Sequence, residues 1–372
     1  MLELQAEWGG NREGCNALLR RMGIAKELPE VPVFPVGNMF WARSAAVKRL
    51  FELGLTQMDF PAEAGQVNAT IAHQIERCWV YIAQAAGYHY CKLFNNCPIP
   101  MEAPQKKRLG IYVHYDVRNI LVESDVDTLR VFSGLCDELV FVSNSKLAEE
   151  ELEPIRSFVN RVESRENIGL DFGAWRDMLL KLGEEKVLEF DELVLFNNSF
   201  FAPLYDLNQV FAQMEQRDVD FWGNTIFPYS PDGTYIKKDC IPEHIQSYFM
   251  VFHRNVVGSD AFWNFWQQMP DYTSFIDVVA NCESQFTKKL VDAGFKCEPY
   301  LKESYYMSRF LNNYALLYEK PVSMLLLGNA FTKKKCYQYM SEEEKIRLEY
   351  LVKKISPEHC WLTEEKGEQS DV

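Results

Sequence analysis

The side chains able to do chemistry fall into a few short runs. One is Asn167-Ile168-Gly169-Leu170-Asp171-Phe172-Gly173-Ala174-Trp175-Arg176. Gly169 and Gly173 permit positive φ or close backbone approach, and the helix that follows offers unpaired N–H groups suited to a phosphate. Asp171 is unfavourable for phosphate itself but can accept hydrogen bonds from a ribose or sugar hydroxyl; the alternative is a plain helix cap. A second run, Asn197-Asn198-Ser199, closes the apolar stretch ELVLF. Two amides and a hydroxyl can bond sugar hydroxyls but hold a hard divalent cation weakly. An ordinary Asn/Ser turn reads the same way. Glu243 and His244 stand just ahead of SYFMVF, where a carboxylate and an imidazole can serve as acid, base or phosphate contact. Adjacent residues on a strand point to opposite faces, so this pair does not act on one atom. Glu283 is expected at a helix start, where the dipole favours a carboxylate. Its counterpart Glu76, beside His73 and Arg77, also reads as part of a helix-face ion pair.

These groups need a scaffold that gathers them. RLGIYVHYD, ELVFVSNS, RVESREN, DELVLFNNS, VDFWGNT and SYFMVFHR read as strands, and helical stretches separate most of them. Trp175, Met178, Leu179 and Leu182 share one face of the helix after the glycine-punctuated run, and residues 204–214 read as another helix. Strands alternating with helices predict a mostly parallel sheet covered on both faces. In such folds ligands sit at the carboxyl ends of the strands. The polar residues collect there: His114 and Asp116; Ser143, Asn144 and Ser145; Asn167 to Asp171; Asn197 to Ser199.

The 372 residues suggest two or three domains, and 47% hydrophobic with 25% charged residues excludes a disordered or low-complexity chain. Fifty-three acidic against 39 basic residues, a net charge of −14, argue against general nucleic-acid or anionic-membrane binding. The longest apolar run near the end, VSMLLL, is far short of a membrane helix, and MLELQAEWGGNRE shows no secretory signal. The ten cysteines form no CxxC pair or zinc-spaced cluster. They read as reduced buried thiols in a cytosolic soluble protein.

Comparing the chain with itself exposes a repeat. GNMFWARSAAVKRLFELGL followed by ERCWVYIAQAAGYHY matches SYFMVFHRNVVGSDAFWNFW followed by ESQFTKKLVDAGFKCEPY. In both, an aromatic strand is expected to end in a basic residue, Arg43 or Arg254. A helix follows, then a second helix that an acidic residue opens and Gly-aromatic closes: Glu76 to Gly87-Tyr88, and Glu283 to Gly294-Phe295. The first copy is the back half of a module without its front. Residues 1–97 form this truncated module, 98–107 a proline-rich linker, 108–330 a full α/β module and 331–372 a helical extension.

At these motifs the chain resembles a known family. Through IYVHYD, ELVFVSNS, RENIGLDFGAWRDML, LVLFNNSFFAPLYDL, DFWGNT and HIQSYFMVF, residues 108–310 resemble the catalytic-type module of the rhamnan synthesis protein F family, associated with bacterial cell-surface polysaccharide assembly. WGGN, GNMFWAR, FPAEAG and IAHQIER make residues 1–97 similar to the family's other, C-terminal module. The resemblance implies a GT-A-like α/β fold, Rossmann-like with a mixed, mostly parallel sheet, preceded by a partial, mainly helical repeat. It further implies a glycosyltransferase, a rhamnosyltransferase using a nucleoside-diphosphate sugar such as dTDP-rhamnose and a lipid-linked or polymeric glycan acceptor, with peripheral association at the inner face of the cytoplasmic membrane. In that comparison Ser143, Asn144, Ser145 and Asp171 hold the nucleotide, and the backbone from Asn167 through Gly169 to Gly173 lies near the diphosphate. Asn197, Asn198 and Ser199 orient the donor sugar. Glu283 or Glu243 is the base, and Arg176, His244 and Arg254 stabilise the leaving diphosphate. The family pattern has Asn-Asp-Ser or Asn-Asp-Thr where this chain has Asn197-Asn198-Ser199. A magnesium or manganese ion therefore loses a ligand at Asn198, and no metal ligand is assigned. The competing expectations are a non-catalytic glycan-binding or scaffold module of a polysaccharide assembly complex, and a nucleotide-binding regulator.

Overall fold

The computed structural model of this chain describes residues 8–62, 68–90, 105–201, 203–301, 321–326 and 328–355. It divides into two compact units, Met1–Phe94 and Asn95–Val372. Most of the linker expected at 98–107 lies outside the described residues, as do the last residues of the helical extension.

The strands of the larger unit are β1 (Arg108–His114), β2 (Glu138–Ser143), β3 (Arg161–Ser164), β4 (Glu192–Asn197), β5 (Phe221–Gly223), β6 (Ile226–Phe227), β7 (His244–Ile245), β8 (Phe249–His253) and β9 (Cys297–Pro299). Seven form one sheet in the order β3-β2-β1-β4-β8-β5-β9, and β6 pairs with β7 alone. Every neighbour pair in the large sheet is parallel except the two made by β8. This is the mixed, mostly parallel α/β class expected from the sequence.

Side-chain alternation explains why both faces are covered. Ile111 and Val113 of β1, with Leu193 and Leu195 of β4, enter one core beneath the helices Leu170–Leu182, Asp260–Gln268 and Ser284–Asp292. Tyr112, Val194 and Phe196 point the other way, into a core closed by the helices Glu123–Ser133 and Leu207–Glu215. Strands buried on both faces need continuous apolar runs, which is how they read.

The smaller unit is helical, with Arg12–Arg21, Ser44–Phe51 and Ile71–Ala85 around Trp8, Cys15, Leu18, Leu19 and Tyr81. The repeat found in the sequence has a geometric counterpart. The Glu76 carboxylate accepts the Gly37 N–H at 2.7 Å, and the Glu283 carboxylate accepts the Ser247 N–H at 3.2 Å. Both second helices stop at a glycine of positive φ, Gly87 at 81° and Gly294 at 98°. The aromatic that follows donates its N–H back along the helix, Tyr88 to Ala83 at 3.0 Å and Phe295 to Leu290 at 3.2 Å. That is the Schellman arrangement in both copies. The copies differ at the strand. Phe249–His253 is buried between β4 and β5, whereas residues 39–43 are not a strand, contrary to expectation. Their unit has no sheet among its described residues, and Met39 and Trp41 are 77% and 92% exposed. No helix among the described residues is long and apolar enough to cross a membrane.

At the amino end of the parallel strands, Glu192 is buried among basic groups. It meets Arg108 Nε at 2.6 Å, Lys106 Nζ at 3.2 Å and His253 Nε2 at 3.4 Å. Burial pushes its carboxyl up, but the His253, Arg108 and Lys106 contacts outweigh it and hold the group down at about 2. Glu192→Gln should therefore destabilise this unit by about 3–5 kcal/mol near neutral pH, because the buried Arg108 guanidinium loses its carboxylate. A depressed carboxyl contributes stability above its unfolded value of 4.5 that disappears as pH falls towards about 2. Denaturant titrations across that window should show the two proteins converging; a gap independent of pH would point to packing instead.

Candidate functional site

The register of the sheet brings the polar run ends to one edge. His114 pairs with Ser143, Val113 with Asn197, and Phe196 with Phe249, so β1, β2 and β4 end where β8 begins. The helix Leu170–Leu182 starts against this edge, and its two glycines are required there. Gly169 has φ 73°, and a Cβ on Gly173 would lie 2.0 Å from the Ile168 carbonyl oxygen. The close approach foreseen for this loop is thus to its own backbone.

Asp171 does not cap the helix. Its carboxylate accepts the Asn197 amide N–H at 2.7 Å. Asn197 Oδ1 in turn accepts the Ser199 hydroxyl at 2.7 Å and the Ser199 N–H at 3.0 Å. Burial raises the Asp171 carboxyl to about 6; the Glu283 carboxylate adds to this, while the Asn197 donor and the Lys333 ammonium oppose it. Asp171 nevertheless keeps some exposed surface. It is a largely buried group at the carboxyl edge of the sheet.

Glu283 is not at a helix start, as expected, but closes a π-helical turn, Val279–Glu283, between Phe275–Val278 and Ser284–Asp292. Such turns insert one residue and are frequent at functional sites. From there Glu283 accepts both the Ser247 hydroxyl at 2.8 Å and the Ser247 N–H. Ser247 lies just ahead of β8, which brings this carboxylate within electrostatic reach of Asp171.

Lys333 completes the group and was not foreseen. The Phe201 N–H donates to Thr332 at 2.8 Å and the Lys334 N–H to Ser199 at 2.9 Å, stitching residues 332–334 to the end of β4. The Lys333 ammonium lies 4.7 Å from the Tyr248 ring centroid. Burial lowers its affinity for the proton, against the pull of Glu283 and Asp171. Lys334 points away, to Asp125 at 2.9 Å, where Tyr112 also donates at 3.0 Å and His114 Nε2 stands 3.6 Å off. Burial pushes the His114 imidazole down.

Beside this lies the Ser143–Ser145 turn. Ser143 Oγ meets His114 Nδ1 at 3.3 Å, and the Ser145 hydroxyl donates to the Asp116 carbonyl at 2.9 Å. Asn144 donates to the Leu170 carbonyl at 3.2 Å and accepts from Arg165 at 2.7 Å. Asn167 keeps a buried side-chain oxygen without a hydrogen-bond partner. Asn198 donates to the Tyr115 carbonyl at 2.9 Å and accepts the Tyr115 N–H at 3.3 Å. Its amide is committed to the backbone in both directions. With Asn197 Oδ1 also occupied, the strand end does not fit a divalent cation. Glu192, Glu215 and His253 bring ligand atoms within 4.8 Å of one another, but at the other end of the sheet and beside Lys106 and Arg108.

The other expected groups are carried elsewhere, held by partners or exposed. Because β8 is antiparallel, Arg254 follows it out at the opposite end and donates its N–H to Asp191. His244 stacks on Phe227, ring centroids 5.2 Å apart, and its Nδ1 meets the Pro242 carbonyl at 2.7 Å. Glu243 beside it is exposed. Arg176 is held by the Met269 carbonyl at 3.0 Å and Asp271 at 2.7 Å.

A family model described as rhamnan synthesis protein F matches residues 2–88 and 139–360. Uncharacterized protein y4gN of Sinorhizobium fredii is 26% identical over 220 residues, covering 58% of this chain and 54% of that protein. Uncharacterized protein WxcX of Xanthomonas campestris pv. campestris is 39% identical over 70 residues, 18% of this chain and 10% of its own. The chain therefore spans about half the length of one relative and about a tenth of the other. Among solved structures, 4-diphosphocytidyl-2C-methyl-D-erythritol synthase superposes with a TM-score of 0.33 at 12% identity, covering 60% of this chain and 99% of that one. The mannosyltransferase Ktr4p from S. cerevisiae in complex with GDP gives 0.28 at 10% identity, covering 48% and 66%.

Asp171 makes a testable contribution to stability. Its carboxyl holds a proton more tightly folded, at about 6, than unfolded, at 3.8, so stability declines as pH rises through that window. Asp171→Asn removes the decline while its amide oxygen still accepts from Asn197. Above pH 6 the variant should match or exceed the unaltered chain by about 1–2 kcal/mol, allowing for solvent screening. Melting curves between about pH 4 and 8 check this. A variant clearly less stable at the upper end would make the carboxylate a structural group.

Proposed function

The chain belongs to the rhamnan synthesis protein F family, and on that premise we propose that it is a glycosyltransferase. In this reading it moves a deoxysugar, with rhamnose carried by dTDP as the first candidate, onto a growing cell-surface polysaccharide. The acceptor is a lipid-linked or polymeric glycan, met at the cytoplasmic face of the membrane.

The observation that carries the reading is the largely buried Asp171 carboxyl, raised to about 6, where open α/β sheets bind their ligands. Such a carboxylate is ionised at neutral pH yet more basic than an ordinary aspartate, which suits proton removal. The acceptor hydroxyl oxygen attacks the anomeric carbon as its proton passes to Asp171. The bond from that carbon to the diphosphate oxygen breaks, and the diphosphate leaves with the electron pair. Asn197 and Ser199 orient the donor sugar, and Ser143, Asn144 and Ser145 meet the nucleotide. Glu283, engaged with Ser247, acts as a positioning residue. No step is routed through a divalent cation. A glycan-binding scaffold is the second reading, favoured by the neutral Asn198 amide and its commitment to Tyr115.

Incubation with a panel of nucleotide sugars and acceptor glycans, followed by nucleoside-diphosphate release, tests both readings. One donor should be consumed, with little response to a chelator and a rate that climbs through about pH 6. Asp171→Asn should cut the rate by about 10²–10⁴-fold. Glycan binding without affinity for any donor would instead establish the scaffold.

A further inference from the structure

A diphosphate that leaves a sugar gains negative charge, and something must receive it. Each basic group expected to do so is engaged elsewhere. Arg176 is bound to Met269 and Asp271, Arg254 stands at the far end of the sheet, and His244 stacks on Phe227. Arg165 is spent on Asn144, Asp177 and the Ile168 carbonyl. The strand end adds only amides and a hydroxyl.

Lys333 has contacts of its own, but they are made at this edge of the sheet. Its backbone forms a bridge with Phe200, one residue beyond Ser199, and flanking hydrogen bonds from Phe201 and Lys334 fix the segment there. Lys334 is buried against Asp125, while Lys333 lies over the Tyr248 ring and keeps part of its surface exposed. Its ammonium interacts electrostatically with Glu283 and Asp171, the two carboxylates at this edge. Lysine is a compact, rotatable point charge, able to turn from a carboxylate to a phosphate without rebuilding its surroundings.

We propose that Lys333 binds the diphosphate of the nucleotide donor and takes the place of a divalent cation there. This rests on the nucleotide-sugar reading above. In the ligand-free protein the ammonium balances Asp171 and Glu283. When a donor binds, it swings to the phosphate oxygens and leaves Asp171 free to accept the acceptor's proton. The amide-rich strand end is then understandable, because the charge comes from a lysine contributed by a distant part of the chain.

The test is calorimetric titration of the full chain with dTDP, UDP and GDP and with the matching monophosphates, in chelator. The unaltered protein should bind one diphosphate more tightly than its monophosphate. Lys333→Met should weaken diphosphate binding by about 10- to 100-fold and erase most of that preference. Lys333→Arg should restore much of it, and Lys335→Met, which removes an exposed neighbouring charge, should change little. Melting curves establish that each variant is folded, and the arginine variant decides the matter if the methionine variant is not. Equal diphosphate affinity with and without Lys333 overturns the assignment while leaving the nucleotide-sugar reading intact. So does diphosphate binding that requires added magnesium or manganese. An unaltered protein that binds none of the three diphosphates overturns that reading, and the assignment with it.

Discussion

The hydrogen bond from the Asn197 amide to the Asp171 carboxylate, 2.7 Å long, joins two elements that neither could position alone. One is the carboxyl end of β4, near the middle of the sheet. The other is the first turn of the helix Leu170–Leu182, which the two glycines allow to start hard against its own loop. Ser199 fixes which way the Asn197 amide faces, so a donor and not a carbonyl meets the carboxylate. Without that donor, a group already carried to about 6 by burial would hold its proton still more firmly. The bond therefore sets both a geometry and a charge state.

Around this point the larger unit gathers charge from remote parts of the chain. Glu283 arrives from a helix on one side of the sheet, and Lys333 from the segment after residue 328. Lys334, one residue on, enters the core to meet Asp125, Tyr112 and the neighbourhood of His114. Neighbouring lysines thus serve two purposes. One is locked in a buried polar cluster that anchors the segment, and the other lies over the Tyr248 ring within electrostatic reach of Asp171 and Glu283.

Much of this was legible in the sequence. The apolar runs ending in polar residues gave β1, β2 and β4 and the edge at which they finish. The paired glycines marked the helix start, and the repeat located Glu283. What escaped had physical reasons. A run buried on both faces looks the same in either direction, so nothing in SYFMVFHR revealed that β8 is antiparallel, and Arg254 was assigned to the wrong end. A π turn has no clear periodic signature, so Glu283 was read as a helix opening. Lys333 lies in a run of lysines more than 130 residues beyond Asn197, and such runs ordinarily mark a solvated surface. Only the stitching of residues 332–334 to the strand end shows that this part of the run is not a solvated surface.

The π turn also limits how this region can vary. Each helical residue advances the chain by about 100° around the axis, so one inserted residue rotates everything beyond it by that amount. Ahead of the turn Val278 faces the core; beyond it Phe286 and Leu290 do, and Glu283 reaches Ser247 between them. Deleting one residue between Val279 and Glu283 would restore regular periodicity and put the two sets out of phase. Either the aromatic core or the carboxylate would then face the wrong way. This helix can exchange side chains over evolutionary time, but its length is constrained by the site it serves.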